Sequence, residues 1–110
     1  MVGEVLWNRI ISELTQSGEE IQTTTGLWFR ASSDNGKLCV DRATENAPSS
    51  ELSIQRPISK KDFLFVYSYF ERWLSGETGV RHEVSRKSRN TAYIFALIDK
   101  FNKQDEEGLL

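Results

Sequence analysis

An aromatic helix is the feature of this sequence that most restricts how the chain can fold. The stretch Pro57–Gly76, PISKKDFLFVYSYFERWLSG, holds six of the twelve aromatic residues. Ser59 stands at an N-cap position with Asp62 three residues later, and Gly76 can adopt the left-handed conformation that closes a helix. At about 100° per residue, one face of this helix forms a predicted core stripe. Its members are Phe63, Val66, Tyr67, Phe70 and Leu74.

A second aromatic stripe lies on the flank of the same helix. Phe65, Tyr69 and Trp73 follow one another at intervals of four residues and do not belong to the core stripe. A helix with two apolar faces is either enclosed within its own domain or offers one face to a partner. The sequence leaves both interpretations open for this stripe.

A hairpin is predicted between Gly26 and Arg42. Asn35-Gly36 separates two alternating runs, and both residues tolerate the positive φ angles of a type I′ turn. A two-residue loop fixes the register, which pairs Asp34 with Lys37, Ala31 with Val40 and Arg30 with Asp41. The predicted inner face consists of Leu27, Phe29, Ala31, Leu38 and Val40. Trp28 falls on the opposite, charged face, where its indole covers another element or meets a partner.

Three further elements flank the hairpin and the aromatic helix. Apolar residues recur at helical spacing over Gly3–Leu14, which predicts an N-terminal helix. Residues Glu51–Arg56 alternate and predict a third strand, which Pro57 ends. Asn90 is predicted to cap a last helix. The core stripe of that helix consists of Ile94, Leu97, Ile98 and Phe101.

These elements predict one α+β domain over residues 1–110. Its small antiparallel sheet, the hairpin plus a third strand, is packed by an N-terminal helix and two C-terminal helices. Residues 18–25 are too polar to assign, and residues 80–87 are expected to form one or two helical turns at most. Residues 104–110 are expected to fray.

Composition favours a soluble protein of a reducing compartment. With 110 residues, 38% hydrophobic and 27% charged, the chain can bury about two thirds of its unfolded surface without disulfides or metal. The single cysteine, Cys39, excludes an internal disulfide. The N-terminus has an acid at Glu4 and no basic segment before an apolar run, so we expect neither a signal peptide nor a membrane span. A cytoplasmic protein without membrane association is the expectation.

Basic charge is concentrated in the second half of the chain. Residues 1–55 carry four basic and eight acidic side chains, whereas residues 56–103 carry ten basic and five acidic ones. The run RHEVSRKSRN precedes a predicted helix N-terminus, where donors bind phosphate with help from the helix dipole. The candidate anion-binding or nucleic-acid-binding residues are Arg81, Arg86, Lys87, Arg89 and Asn90. The competing interpretation is a solvated charged loop, since the pI near 5.4 is unlike that of most nucleic-acid binders.

Catalytic and cofactor motifs are not evident. Nucleophilic catalysis requires a nucleophile beside a positioned base, and the chain has one histidine and one cysteine, set in a basic loop and in a strand. Neither CxxC nor paired histidines at helical spacing occur, and the glycines do not form a phosphate-binding loop. We therefore predict no catalytic residue, no metal ligand and no cofactor. Convergence of the carboxylates of Asp34, Asp41, Glu51 and Asp62 would support a metal-dependent hydrolase or nuclease.

Two segments, ISKKDFLFVYSYFERWLSGE and SRKSRNTAYIFALI, resemble small uncharacterised bacterial proteins carried on mobile elements, of the integron gene-cassette type. The likeness covers about half of the chain and consists of a similar general residue pattern, without a diagnostic motif. This class has no common fold or activity. The resemblance therefore implies a small bacterial cytoplasmic protein and assigns no functional residue.

The sequence favours a non-catalytic binding module that self-associates as a dimer or larger. Its interface or ligand cleft is predicted to use Trp28, Phe65, Tyr69 and Trp73. The alternative is a nucleic-acid or other anion binder that acts through the basic run 81–90, and the third hypothesis is the metal-dependent hydrolase or nuclease.

Overall fold

The computed structural model describes residues 2–108, and it describes side chains as far as residue 102. Its elements are α1 (Val2–Glu13), β1 (Glu19–Gln22), β2 (Trp28–Asp34), β3 (Lys37–Arg42), β4 (Arg56–Ile58), α2 (Lys60–Leu74), α3 (Val80–Ser85) and α4 (Thr91–Gly108). The strands form one antiparallel sheet in the order β1-β2-β3-β4. The chain is an α+β fold, as predicted.

The β2–β3 hairpin has the predicted turn and register. Asn35 and Gly36 have φ angles of 52° and 76°, which are the positive values that a type I′ turn requires. The three predicted pairs, Asp34 with Lys37, Ala31 with Val40 and Arg30 with Asp41, are all present. Phe29, Ala31, Leu38 and Val40 are buried on the inner face. Alternate residues of both strands on the outer face remain partly accessible to solvent.

Leu27 does not belong to the inner face of the hairpin, so that prediction is wrong. It precedes β2 and is 40% exposed. Its backbone N–H donates to the side-chain oxygen of Thr23 at 3.2 Å, and its carbonyl accepts from the Thr23 N–H at 2.8 Å. Leu27 therefore closes the turn between β1 and β2, and the alternation of the strand begins only after it.

The two edge strands differ from the sequence prediction. β1 falls within the unassigned segment 18–25, where Ile21 is the only buried apolar residue and periodicity is too weak to detect. The predicted strand Glu51–Arg56 is wrong, since β4 begins where that prediction ends. Ile54 is 77% exposed, so the alternation there does not mark a sheet face. Pro57 lies inside β4 rather than after it, and an edge strand tolerates the missing N–H.

The helices enclose the core on the inner face of the sheet. Ser59 caps α2 by accepting a hydrogen bond from the backbone N–H of Asp62 at 3.0 Å, as predicted. The largest fully buried side chains are Phe29, Phe63, Phe70, Phe95 and Phe101. Tyr67 is only partly buried against the core. Leu74 is 61% exposed at the last position of α2, so its predicted place in the core stripe is wrong.

The C-terminal region consists of one short helix and one long one. α3 resolves the open question about residues 80–87, because Val80 and Val84 point inward from a six-residue helix. α4 continues through Gly108 into the segment expected to fray, and residues 109 and 110 lie outside the described residues. Among residues 2–108, no helix is long and apolar enough to cross a membrane.

Candidate binding surface

The second aromatic stripe of α2 divides between the core and the surface. Trp73, at its C-terminal end, packs against Phe70 and Phe95 with ring centroids 5.6 and 5.3 Å apart. The guanidinium of Arg81 covers the Trp73 ring at 5.8 Å from its centroid. This end of the stripe is packed inside the domain, which removes most of the Trp73 ring from any partner surface.

The N-terminal end of the stripe is open. Phe65 is 37% exposed and meets Tyr69 edge to face, with centroids 5.3 Å apart and ring planes at 62°. Tyr69 is held between two cations, because Arg72 and Lys87 lie 5.2 and 5.7 Å from its ring centroid. The ammonium of Lys87 also donates to the Tyr69 hydroxyl at 3.2 Å. Tyr69 is thus fixed in place, and Phe65 is the ring of this pair that a ligand can cover.

Phe65 and Lys87 line one shallow hollow, with a volume of about 300 Å³, together with Ser59, Lys61 and Asp62. The first turns of α2 supply Lys61, Asp62 and Phe65, its N-cap is Ser59, and the segment after α3 supplies Lys87. We name the set Lys61, Phe65, Tyr69 and Lys87 the basic aromatic surface.

Its electrostatics are cationic. Within the described chain neither Lys61 nor Lys87 has an ion-pair partner. The carboxylate of Asp62 also lines the hollow, and it accepts a hydrogen bond from the neutral side-chain amide of Asn90 at 2.9 Å, which orients the carboxylate without removing its charge. Arg72 contributes less, because it forms ion pairs with acidic side chains that lie next to it. An arriving anion would therefore meet two ammonium groups and one carboxylate beside an aromatic ring, which leaves the hollow with a net positive charge.

Sequence analysis missed Lys61 as a member of this surface. The signal was present, because Lys61, Phe65 and Tyr69 are spaced i, i+4, i+8 and so form one row on α2. The aromatic members alone do not reveal that this row begins with a lysine that shares a hollow with Phe65.

Two residues of the basic run have structural roles instead. Arg81 donates to the side-chain oxygen of Thr24 at 2.6 Å and lies 5.0 Å from the ring centroid of Phe95. Burial lowers the pKa of the Arg81 guanidinium. Asn90 is buried, and its side-chain oxygen accepts from Arg56 at 3.3 Å. Asn90 stands just before α4, as predicted, but its side chain links other elements rather than capping the helix.

The other three basic residues of the run, Arg86, Lys87 and Arg89, are exposed. Arg86 follows α3 and lies beside Lys87 around a second hollow that also includes Glu83. Arg89 faces a different hollow, formed with residues 51–57. The structure therefore joins Lys87 directly to the aromatic pair, places Arg86 next to it and leaves Arg89 on a neighbouring surface.

Trp28 is not part of this surface. It lies on the outer face of β2, whereas α2 packs on the inner side of the sheet. Its backbone bonds to the 43–50 loop, donating to the Pro48 carbonyl and accepting from the Ser50 N–H, both at 2.8 Å. In the part of the chain that the structure describes, the indole of Trp28 has no hydrogen-bond or ring partner.

The carboxylates of the third hypothesis have separate local partners. Asp34 accepts from the side-chain amide of Gln16 at 2.9 Å, and Asp41 accepts from the backbone N–H of Arg42 at 2.8 Å. Among the described residues, no group of three or more His, Cys, Asp or Glu side chains is placed to hold a metal ion. Within the described part of the chain, the geometry therefore provides no basis for a metal site built from these carboxylates.

A carboxylate that sequence analysis overlooked is held by a loop on the outer face of the sheet. Glu20 accepts from the backbone N–H groups of Thr44, Glu45 and Asn46 at 2.6, 3.1 and 2.9 Å, and from Arg30 at 2.8 Å. Burial alone would raise the pKa of this carboxyl, but these backbone bonds and one from the Asn46 side chain lower it from 4.5 to about 2. Glu20 fixes the loop and is not available to a ligand.

Comparisons with protein-family models, with curated proteins and with solved structures gave no match.

Proposed function

We propose that this protein is a non-catalytic binding module that recognises a polyanionic partner through the basic aromatic surface. One observation carries the proposal: the exposed ring of Phe65 shares a hollow with Lys61 and Lys87, and among the described residues neither lysine has an ion-pair partner. Cations left unpaired beside an apolar ring attract phosphate or sulfate groups and offer them a partly desolvated contact. Arg86 extends the cationic area beyond the hollow.

The small number of cations sets the expected strength. Each lysine that contacts a phosphate releases bound counterions, so log K falls linearly with log salt concentration. Two or three contacts give a slope of about −1.4 to −2 for a flexible polyanion. We therefore expect moderate affinity at low salt and a clear loss of binding toward physiological ionic strength.

Fluorescence anisotropy with labelled inorganic polyphosphate, measured over a range of salt concentrations, tests the proposal. Lys87→Ala should weaken binding and reduce the magnitude of the salt slope by about 0.7 to 1. Lys100→Ala is the matched control, because Lys100 forms its ion pair with Glu19 at the β1 edge of the domain. Both variants remove one lysine and change the net charge equally. No binding at low salt, or equal effects of the two variants, would contradict the proposal.

A second candidate function is self-association through the outer face of the sheet. The supporting observation is the partly accessible Trp28, whose indole has no partner in the described chain, on a face where Arg30 and Asp41 carry opposite charges. Mixed charges suit the self-complementary interface of a two-fold dimer. Sedimentation velocity at tens of micromolar should show a dimer that Trp28→Ala weakens. A monomer at that concentration would exclude this candidate.

A further inference from the structure

We infer that the polyanion is a single-stranded nucleic acid, with one base stacked on the ring of Phe65 and the flanking phosphates on Lys61 and Lys87. This inference rests on the proposed function and specifies its ligand. The geometric basis is that the two rings of the surface differ in how far they are open to a ligand. Tyr69 is locked by Lys87, while the neighbouring Phe65 leaves part of its ring open.

An aromatic ring flanked by cations is the combination that binds single strands. Every base has a π face that can stack on a phenyl ring, and the phosphate on either side of the base needs a cation nearby. The hollow between Lys61 and Lys87 has a volume of about 300 Å³, which is small for a ligand pocket and suits one nucleotide. Simple phosphate chains would use the lysines and leave the ring uncovered.

A duplex fits the same surface poorly. Its bases are already stacked on one another, so none can cover Phe65 without being extruded. Reading a major groove requires a helix that protrudes from the domain. α2 cannot do so, because it packs against α1, α3 and α4. α3 has only six residues, and its inward-facing Val80 and Val84 are buried.

An acidic peptide could engage the lysines through its carboxylates, but it would not supply a flat ring for Phe65 beside each charge. The exposed aromatic face therefore favours a nucleic acid over a peptide as the partner. The peptide remains a defined competitor in the experiment below.

Anisotropy titrations with four labelled probes test the inference. The probes are an oligothymidylate of about 12 nucleotides, a typical single-strand site size, the matching duplex, inorganic polyphosphate and an oligoglutamate peptide. We expect the oligothymidylate to bind at least about tenfold more tightly than each of the other three, because only its bases can stack on Phe65.

Phe65→Ala should weaken oligothymidylate binding by about tenfold and polyphosphate binding by a clearly smaller factor, because only a base can stack on the ring. Phe65→Tyr should restore the single-strand affinity because it retains a ring. Circular dichroism spectra of both variants should match that of the wild type, since the Phe65 ring is partly exposed and outside the core.

The outcomes separate the inference from the proposed function. Polyphosphate binding that depends on Lys87, combined with equal or tighter binding of the duplex or the peptide, would overturn the single-strand inference and retain the binding module. Insensitivity of oligothymidylate binding to Phe65→Ala would also overturn the inference. If no probe binds at low salt, both the inference and the proposed function fail.

Discussion

Replacing Trp73 with alanine should destabilise the fold by about 2–4 kcal/mol. The substitution removes two ring contacts, with Phe70 and Phe95, each worth about 0.5–1.5 kcal/mol beyond simple burial. It also removes the ring beneath Arg81, a contact worth about 0.5–1 kcal/mol. Deleting a fully buried Trp or Phe side chain costs about 3–5 kcal/mol in all. Because Trp73 is only partly buried, its expected cost is about 1 kcal/mol lower.

Urea denaturation followed by far-ultraviolet circular dichroism measures this loss as a lower midpoint at an unchanged m value. Phe65→Ala is the matched control, because Phe65 lies in the same row of α2 and has a single ring contact, with Tyr69. Its cost should stay below about 1.5 kcal/mol. Trp73→Phe should recover part of the lost stability, since a phenyl ring can still pack on Phe70 and Phe95.

A cost below about 1 kcal/mol for Trp73→Ala, or a cost equal to that of Phe65→Ala, would refute the assignment of Trp73 to the interior. A change in oligomeric state with unchanged stability would instead support the interface role predicted from the sequence. Sedimentation velocity on the same samples distinguishes these results.

Three further predictions concern the framework around the surface. The carboxyl of Glu20 should titrate near pH 2 in ¹³C NMR rather than near 4.5. Since its folded-state pKa is lowered, its contribution to stability is complete above about pH 4.5 and is lost as the pH falls through about 2. A titration midpoint near 4.5 would contradict the loop contacts. Gly18→Ala should lower the thermal midpoint more than Gly36→Ala, because both glycines have positive φ, but only at Gly18 does the added Cβ meet a backbone oxygen, that of Ala31 at 2.7 Å. Asn90→Ala should cost about 1–3 kcal/mol because it removes two side-chain hydrogen bonds, with the partly buried Arg56 and Asp62. Full stability with weaker anion binding would instead identify Asn90 as a ligand residue.

Local signals in the sequence are sufficient to predict the two central strands of the sheet and their register, but not the two edge strands. Asn35-Gly36 determines a turn, the turn determines a register, and alternation then assigns each side chain to a face. β1 has one buried apolar residue, Ile21, and it forms because β2 offers it a partner. β4 contains Pro57, and proline has a low propensity for β-strands. Edge strands depend on tertiary pairing, which short-range patterns do not record.

The candidate site could be predicted only in parts, for a similar reason. The sequence pattern identifies the row Phe65, Tyr69 and Trp73. The side chains that cover Tyr69 and Trp73 in the structure include Lys87 and Arg81, which come from later in the chain. The sequence predicts Arg81 as an anion ligand. In the structure its guanidinium lies over the rings of Trp73 and Phe95. A cation–π contact with a residue eight positions away has no periodic signature, because the turn between α2 and α3 sets the alignment.

The length of α3 explains why one aromatic row serves both the core and the surface. α2 spans about 22 Å and α3 only about 9 Å, at about 1.5 Å per residue. The chain from α3 onward runs back along α2, so that Arg81 covers Trp73 and Lys87 reaches Tyr69. Beyond that point Phe65 remains partly uncovered, with a lysine beside it. The aromatic stripe and the basic run, which the sequence presented as rival sites, thus become adjacent parts of one surface, and removing the ring or the lysine should impair the same binding event in different ways.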